Sequence, residues 1–555
     1  MAVAILSVGI SFIFTDAKAA NPVLPGSANA GRVDKDHKAV VPDQVPEGGE
    51  QPKVLLPAST VPEGADKVKF VLKTVTVEGV TAFSHQEIES LYKKFLGKEI
   101  ALANVWQIAD LITQHYQENG YFISRAYVPE QNIANGAITI RAGEGHIGAV
   151  ELKDSIADNY IVKNLIQKIK EEKPSRSQTV ESFLLRLNDL PGVSFRSVIE
   201  PLSDNPENQS AVKLILVKEK KPDSGAVSFD NYNSRYLGPN EGTVSYSRSI
   251  IPFELTSISF LGGIPLEKLK NLSGSHEIHL SSEVSMQIYG GYTAANPGFT
   301  LSPKDIDSSA SNLGVSLKDQ FIRQRQENLS LTISFDGKNN YSDVLEAPLT
   351  RDRVRAARVN LSYDRDDPLD GYDFLNVTLS HGLEVFNAST KGQAFLSRAK
   401  ANPDFNKFEY GLTRFQTLPA NLTAVIGVSG QIASGVLYSS EQFGFGGQSY
   451  GRAYDPSEII GDSGIAGSAE LRYSGIPVFY DISIAPYAFY DVGKVWDDGQ
   501  PSQSGSSLGF GIRWDSSFGI SGNLTIAEPL TRAVEDPVTG NGKSPRYLFQ
   551  MSYKF

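Results

Sequence analysis

Gly143, Gly145 and Gly148 stand in the spacing G-x-G-x-x-G after a strand-like run. The first chemistry to consider is therefore a backbone cradle for a pyrophosphate, which needs a helix N-terminus directly after the glycines. Residues 149–153 continue as a strand instead, and no dinucleotide site is expected. Gly447-Gln448-Ser449-Tyr450-Gly451 has the G-x-S-x-G spacing of a nucleophile elbow, which needs a sharp strand-to-helix turn and a histidine base. It falls in a long loop, and His381, the only His after His279, lies on a distant strand. His276 and His279 are three apart on a strand, where alternation puts them on opposite faces, so they make no metal pair. The 555 residues include no Cys, which excludes disulfides, thiolate metal sites and a Cys nucleophile. A net charge of −11 argues against a nucleic-acid partner. No catalytic residue, metal or cofactor is expected.

The elements around these motifs point elsewhere. Residues 2–14 are an apolar run followed by Ala17-Lys18-Ala19, a small-x-small cleavage pattern, so residues 1–19 read as an export signal peptide. The amino group of Met1 is the only positive charge ahead of that run. Residues 20–67 carry Pro22, Pro25, Pro42, Pro46, Pro52, Pro57 and Pro62 and read as a linker, with a short-helix candidate at 28–40. After residue 14 no run of 18 apolar residues occurs, so no transmembrane helix is expected.

Residues 68–146 predict the order β-α-α-β-β. A strand spans 70–78, and Ser84 with Glu87 forms a capping box that opens a helix through Phe95. A second helix from 103 sets Val105, Ile108, Ala109 and Ile112 on one face and stops at Gly120; strands follow at 122–128 and 137–142. Residues 147–220 repeat the order, with strands at 147–153, 193–201 and 211–218 and helices at 158–170 and 179–190.

From 221 to 555 the helical period gives way to period two. Tyr547, Phe549, Met551, Tyr553 and Phe555 alternate with Leu548, Gln550, Ser552 and Lys554. Abundant Gly (49), Phe (28) and Tyr (23) suit many strands. About sixteen such segments predict a membrane β-barrel, each near the roughly 9–11 residues a tilted strand needs. Short connections are expected at 251–253, 282–284, 320–325, 365–371, 418–420, 475–480 and 516–518. Longer ones are expected at 232–240, 265–274, 295–309, 338–353, 387–404, 434–464, 492–505 and 529–545. Short turns on one side and long loops on the other are the asymmetry of an outer-membrane barrel, and an even strand count leaves both ends in the periplasm.

Four stretches carry a family resemblance. The β-α-α-β-β repeat resembles POTRA (polypeptide-transport-associated) domains. Glu144-Gly145-His146-Ile147-Gly148-Ala149-Val150 is similar to the E-G-x-I-G-x-V junction between the POTRA domains of two-partner secretion transporters, which export haemolysins and filamentous-haemagglutinin-like adhesins. The run from Asp230 to Pro239 resembles the family's D-N-x-G-S-R-Y-T-G-P, with Asn233 in place of Gly. Gly451-Arg452-Ala453-Tyr454 resembles the [VI]-R-G-[YF] loop tip, keeping Arg and Tyr, and Phe489-Tyr490-Asp491-Val492-Gly493 matches F-x-D-x-G. Terminal Phe555 fits a barrel assembly signal.

The resemblance implies an outer-membrane transporter of a Gram-negative bacterium. Two periplasmic POTRA domains, 68–146 and 147–220, would recognise an unfolded partner exoprotein, which the barrel, 221–555, would secrete without nucleotide hydrolysis. It further implies a plug helix ahead of the POTRA domains, surrounding outer-membrane lipid and a barrel assembly machinery. Arg452 on the lumen loop would pair with Asp491, partly screened by water and giving position more than stability. The alternatives are an outer-membrane protein insertase of the BamA type, which typically carries more POTRA domains, and a porin-like channel, which would not need residues 68–221.

Overall fold

The computed structural model describes residues 24–37, 61–202, 210–477 and 480–555. The export signal and most of the proline-rich stretch lie outside the described residues.

The first module is a three-stranded sheet covered by two helices. Thr74–Glu78 pairs in parallel with Ala137–Gly143, which pairs antiparallel with Arg125–Tyr127. Helix His85–Tyr92 begins at Ser84, whose hydroxyl accepts the Glu87 amide at 3.3 Å. Helix Ala103–Glu118 buries Val105, Ile108, Ala109, Ile112 and Tyr116, the one-sided stripe of its sequence. The strand expected at 70–78 is broken. Leu72 turns fully into the core, and Lys69–Val71 leaves to pair with Glu99–Ala101.

The second module repeats the connectivity. His146–Leu152 is parallel to Ala211–Lys220, which is antiparallel to Val193–Pro201, under helices Tyr160–Glu171 and Ser177–Asp189. The glycine-rich motif joins the two modules. A Cβ on Gly145 would lie 2.5 Å from the Ile123 side chain, and its amide donates to Ser124 Oγ at 2.9 Å. Gly145 serves a close approach to Ile123 where the chain passes from the first module to the second, and a strand follows the motif. Against the barrel, Arg323 forks onto Asp189 at 2.6 and 2.8 Å, and Lys168 meets Glu283 at 2.8 Å.

Sixteen antiparallel strands close into a barrel, from Ser224–Asp230 to Arg546–Lys554. The closing seam pairs Ala226–Asp230 with Gln550–Lys554. Beyond it Asn231 completes the ladder with its side chain, donating to Tyr547 O at 2.9 Å and accepting from the Phe549 amide at 2.8 Å. Closure is what hydrocarbon demands, since an open edge there would leave amides and carbonyls without partners. Two expected long loops, 338–353 and 265–274, are short turns. Glu327–Val344 and Ala347–Asp367 form one hairpin with residues 345–346 at its tip, and Glu254–Ile264 connects to Leu269–His279 through 265–268. Polar side chains interrupt the apolar alternation there but leave ladder hydrogen bonding intact, so the strands continue past the apolar band.

Residues 24–37 lie inside the barrel as Gly26–Ala28, Ala30–Arg32 and the single turn Val33–Asp36. Their apolar side, Ala28, Ala30 and Val33, packs with Tyr236, Leu261, Leu269 and Ile306. This is the amino-terminal part of the helix candidate at 28–40, and much shorter than a regular helix.

Glu144 ties the module junction to the first module. It accepts the Thr81 and Ala82 amides at 2.7 and 2.8 Å, the Thr81 hydroxyl, and the Tyr116 hydroxyl at 2.8 Å. Partial burial pushes its carboxyl upward, but these donors outweigh burial and hold it below the usual carboxylate range. The resulting stability is present above the usual carboxylate range and is lost as pH falls through the lowered folded value. Glu144→Gln should weaken this junction by about 1–3 kcal/mol at neutral pH, from loss of charge-assisted hydrogen bonds. Hydrogen exchange at the Thr81 and Ala82 amides, faster in the variant but converging with the parent in acid, is the check.

Candidate functional site

Residues 434–462 leave one barrel strand, descend into the lumen and return at Ser463–Tyr473. Within them Phe443–Phe445 pairs with Ile459–Gly461, a two-stranded stem that presents Gly451, Arg452 and Tyr454 to the wall. The wall strand Ile482–Trp496 alternates so that Phe489 and Asp491 point inward while Tyr490 and Val492 face outward.

Arg452 and Asp491 meet in a closed network. Arg452 Nε and Nη2 donate to the two oxygens of Asp491 at 3.1 and 2.9 Å, and the Gly451 and Arg452 amides add bonds of 3.1 and 3.0 Å. Ser468 and Ser507 hydroxyls complete the shell of Asp491 at 2.7 and 3.3 Å. The guanidinium carbon lies 3.4 Å from the centroid of Phe489, a cation–π stack. Arg452 is 5 % exposed and Asp491 fully buried, so the partial screening by water expected from sequence is absent. Phe445, Phe489 and Tyr454 pack around the pair and exclude solvent.

Sequence reasoning missed the second carboxylate. Glu470, on the strand next to that of Asp491, pairs with Arg452 Nη1 and also takes Arg472 at 2.6 Å and Arg513 at 3.2 Å. Its inward alternation with Ser468 was the available signal. Phe445 was missed too. A Cβ on Gly493 would fall 2.1 Å from its ring, and one on Gly451, whose φ is +79°, 2.7 Å away. The glycines of both motifs thus make room for one aromatic ring. The Tyr454 hydroxyl is shared between the carbonyls of Ser506 at 3.0 Å and Arg532 at 3.2 Å.

The descending limb has its own anchor. Glu441, 1 % exposed, receives Arg358 at 3.0 Å, Lys407 at 2.7 Å and Lys338 at 3.4 Å from three strands of the wall. The segment 24–37 then locks onto the loop through Arg32. Arg32 Nη1 donates to the carbonyls of Ser439 and Gln442 at 2.9 and 3.0 Å, and Nη2 to Ser457 Oγ at 2.8 Å. The terminal Phe555 pairs through its backbone with Gly225 at 2.9 and 3.0 Å, far from the loop, with its ring on the outer face. The elbow-like Ser449 sits on the loop, whereas His381 bonds Asn406 on the barrel wall.

Comparison with known proteins follows the same division. Residues 70–145 match the model of the ShlB-type POTRA domain, and residues 285–514 that of the haemolysin secretion/activation protein ShlB/FhaC/HecB. The chain belongs to this family. Its members are outer-membrane transporters that secrete a partner exoprotein through a barrel, with POTRA domains in the periplasm. The chain is 25 % identical over 500 residues to the heme/hemopexin transporter protein HuxB of Haemophilus influenzae, covering 84 % of this chain and 85 % of that one. It is 22 % identical to the outer membrane transporter CdiB of Escherichia coli, over 86 % and 82 % of the two chains. Among solved structures, CdiB from Escherichia coli superposes with a TM-score of 0.67 at 17 % identity, covering 90 % of this chain and 94 % of that one. BamA from Haemophilus ducreyi lacking POTRA domains 1–3 gives 0.52 at 12 %, covering 88 % and 100 %. At these identities the structural likenesses are of fold.

Arg452→Ala should release the loop tip, because Asp491 and Glu470 would lose a buried cation, a change that costs about 3–5 kcal/mol in comparable pairs. Arg452→Lys should recover little, since an ammonium cannot fork onto Asp491 while also reaching Glu470. A lowered temperature of barrel unfolding in heat-modifiable electrophoresis, nearly equal for the two variants, is the expected readout.

Proposed function

We propose that the two α/β modules, 68–146 and 147–220, are both POTRA domains that capture an unfolded exoprotein. The captured chain then passes through the barrel once residues 24–37 have left the lumen. The observation that carries this reading is the filling of the lumen. A segment distant in sequence and a single long loop occupy it, and side-chain contacts rather than continuous strand pairing hold them to the wall and to each other. Such a filling can be exchanged for another polypeptide without opening the barrel sheet.

Capture fits the edges of the two small sheets. Thr74–Glu78 and Arg125–Tyr127 flank one sheet, and His146–Leu152 and Val193–Pro201 the other. A strand edge binds an extended chain through main-chain hydrogen bonds and tolerates many sequences, as recognition of an unfolded partner requires. Passage needs no nucleotide in this reading; folding of the exported chain outside the cell prevents its return. The relatives HuxB and CdiB suggest a large secreted protein as cargo, and the heme/hemopexin designation of HuxB makes a haem-acquisition exoprotein the leading class.

Arg452, Asp491, Phe489, Gly451, Gly493 and Tyr454 in this reading hold the loop tip at the wall while cargo passes. Phe555, the last outward residue of the closing strand, is the assembly signal read by the barrel assembly machinery, and lipid surrounds the apolar band.

Three outcomes test this. Arg452→Ala should abolish secretion while the barrel remains in the outer membrane; near-normal export would refute the role of the loop. Deleting residues 68–146 should stop partner binding in a pull-down with the exoprotein but leave the barrel heat-modifiable. Deleting residues 24–37 should raise single-channel conductance in planar bilayers severalfold, and an unchanged conductance would show that these residues do not obstruct the pore.

A further inference from the structure

The outward face of the longest hairpin changes character abruptly. In Glu327–Val344 and Ala347–Asp367 the outward rows pair Leu329 with Tyr363, Leu331 with Leu361, Ile333 with Val359 and Phe335 with Ala357. Ile333, Val359 and Leu361 are exposed, as lipid-facing residues of a barrel are. The next three rows pair Gly337 with Arg355, Asn339 with Arg353 and Tyr341 with Arg351. Between them Asp352, Val354 and Ala356 are buried on the inner side, so alternation turns all three arginines toward the outside of the barrel. The adjoining strand, Ile306–Arg323, brings Leu313, 67 % exposed, beside Gly337 in the row of Arg355; above it come Ser311 and Ser309. The apolar band therefore ends at the row of Arg355. The hairpin tip lies on the side opposite the periplasmic modules, so the three cations stand at the level of the outer-leaflet head groups.

Their partners leave two of them without an anion. Arg351 pairs with Asp343 and lies 5.4 Å from the Tyr341 centroid. Arg355 donates only to neutral acceptors: the carbonyls of Lys338 at 3.1 Å, Val354 at 2.8 Å and Phe386 at 3.3 Å, and Asn339 Oδ1 at 3.0 Å. The Nε of Arg353 is buried with no hydrogen-bond partner. Among the described residues neither guanidinium forms an ion pair with a carboxylate. Asp343 and its strand-register partner Asp307 lie in the rows beyond Arg351, farther from the apolar band.

An apolar wall continues beside these cations. Phe386, on the loop that follows His381 and Gly382, is 75 % exposed and packs its ring 5.7 Å from that of Phe335. Leu379, on the strand paired with Val359, is exposed below it. Two uncompensated guanidinium groups thus stand directly over exposed aliphatic and aromatic side chains. A soluble polyanion would have no use for the apolar part, and an acyl chain alone none for the arginines. Guanidinium forks match phosphate oxygens, and half-desolvated they bind more strongly than in water.

We propose that Arg353 and Arg355, with Leu313, Phe335 and Phe386 beside them, bind the phosphate-bearing head group of an acylated lipid of the outer leaflet. The phosphate supplies the missing anion, and the acyl chains run down the outward rows of the hairpin. The site lies on the outer wall, apart from the lumen loop, and does not depend on what the barrel exports.

The test uses the full-length protein in detergent micelles, with native mass spectrometry counting retained lipid. The probes are a diphosphorylated, multiply acylated glucosamine disaccharide and the same lipid after enzymatic removal of its phosphates. The parent protein should retain the phosphorylated lipid at least about tenfold more tightly than the dephosphorylated one, as loss of charge-assisted contacts dictates. Arg353→Gln/Arg355→Gln should lose that preference, and the paired lysine variant should keep part of it. Equal retention of the two lipids by the parent protein would overturn the proposal whether or not the variants fold. So would an unchanged preference in a glutamine variant that is shown to be heat-modifiable. Displacement of the lipid by millimolar inorganic phosphate would also overturn it, by identifying a free-anion site.

Discussion

Hydrocarbon offers a peptide group no hydrogen-bond partner, and most of this molecule follows from that. A sheet that crosses the membrane must close on itself. Sixteen strands make an interior too wide for the wall's own side chains to fill. The interior residues are then free to be polar, and the chain itself must supply what occupies the space. Residues 24–37 and 434–462 do so, and beside their apolar packing they meet the wall through ion pairs, hydroxyls and carbonyls, the groups that lipid forbids.

Polar filling succeeds only if each buried charge is compensated. Asp491 is an instructive case, because it is fully buried and yet receives bonds from two amides, two hydroxyls and two nitrogens along one edge of a guanidinium. Glu470 shares the same arginine and adds two more. Replacing such a cluster with apolar residues would suit stability as well or better. Its benefit is directional, since only one placement of the loop satisfies three carboxylates, Asp491, Glu470 and Glu441, at once.

Much of this was legible in the residues. Period-two alternation revealed the barrel, and the spacing of Val105, Ile108 and Ile112 revealed a helix, because each pattern reports which side faces water or lipid. The paired motifs around Arg452 and Asp491 identified the loop and the wall strand that meet. What sequence hid depends on distance. Glu441 and Arg358 are 83 residues apart, and Arg32 and Ser457 are 425 apart; nothing local marks either pair. Phe445 looked like one aromatic among many until Gly451 and Gly493 were seen to converge on it. The hairpin around 345–346 read as a loop because polar residues above the membrane no longer alternate with apolar ones, although the ladder persists.

Arg32 and Arg452 differ in what they would leave behind. Departure of Arg32 uncovers two carbonyls and a hydroxyl, neutral groups that water can rehydrate. The carboxylates that residues 24–37 touch keep other partners: Glu409 keeps Lys407, and Glu241 keeps Asn233. Withdrawal of Arg452 would strand Asp491, which has no other cation among the described residues, whereas Glu470 would keep Arg472 and Arg513. In the reading proposed above the two occupants of the lumen are therefore ranked, the amino-terminal segment as a reusable stopper and the loop as a fixture. A channel with that ranking can empty and refill through many cycles without losing its internal frame.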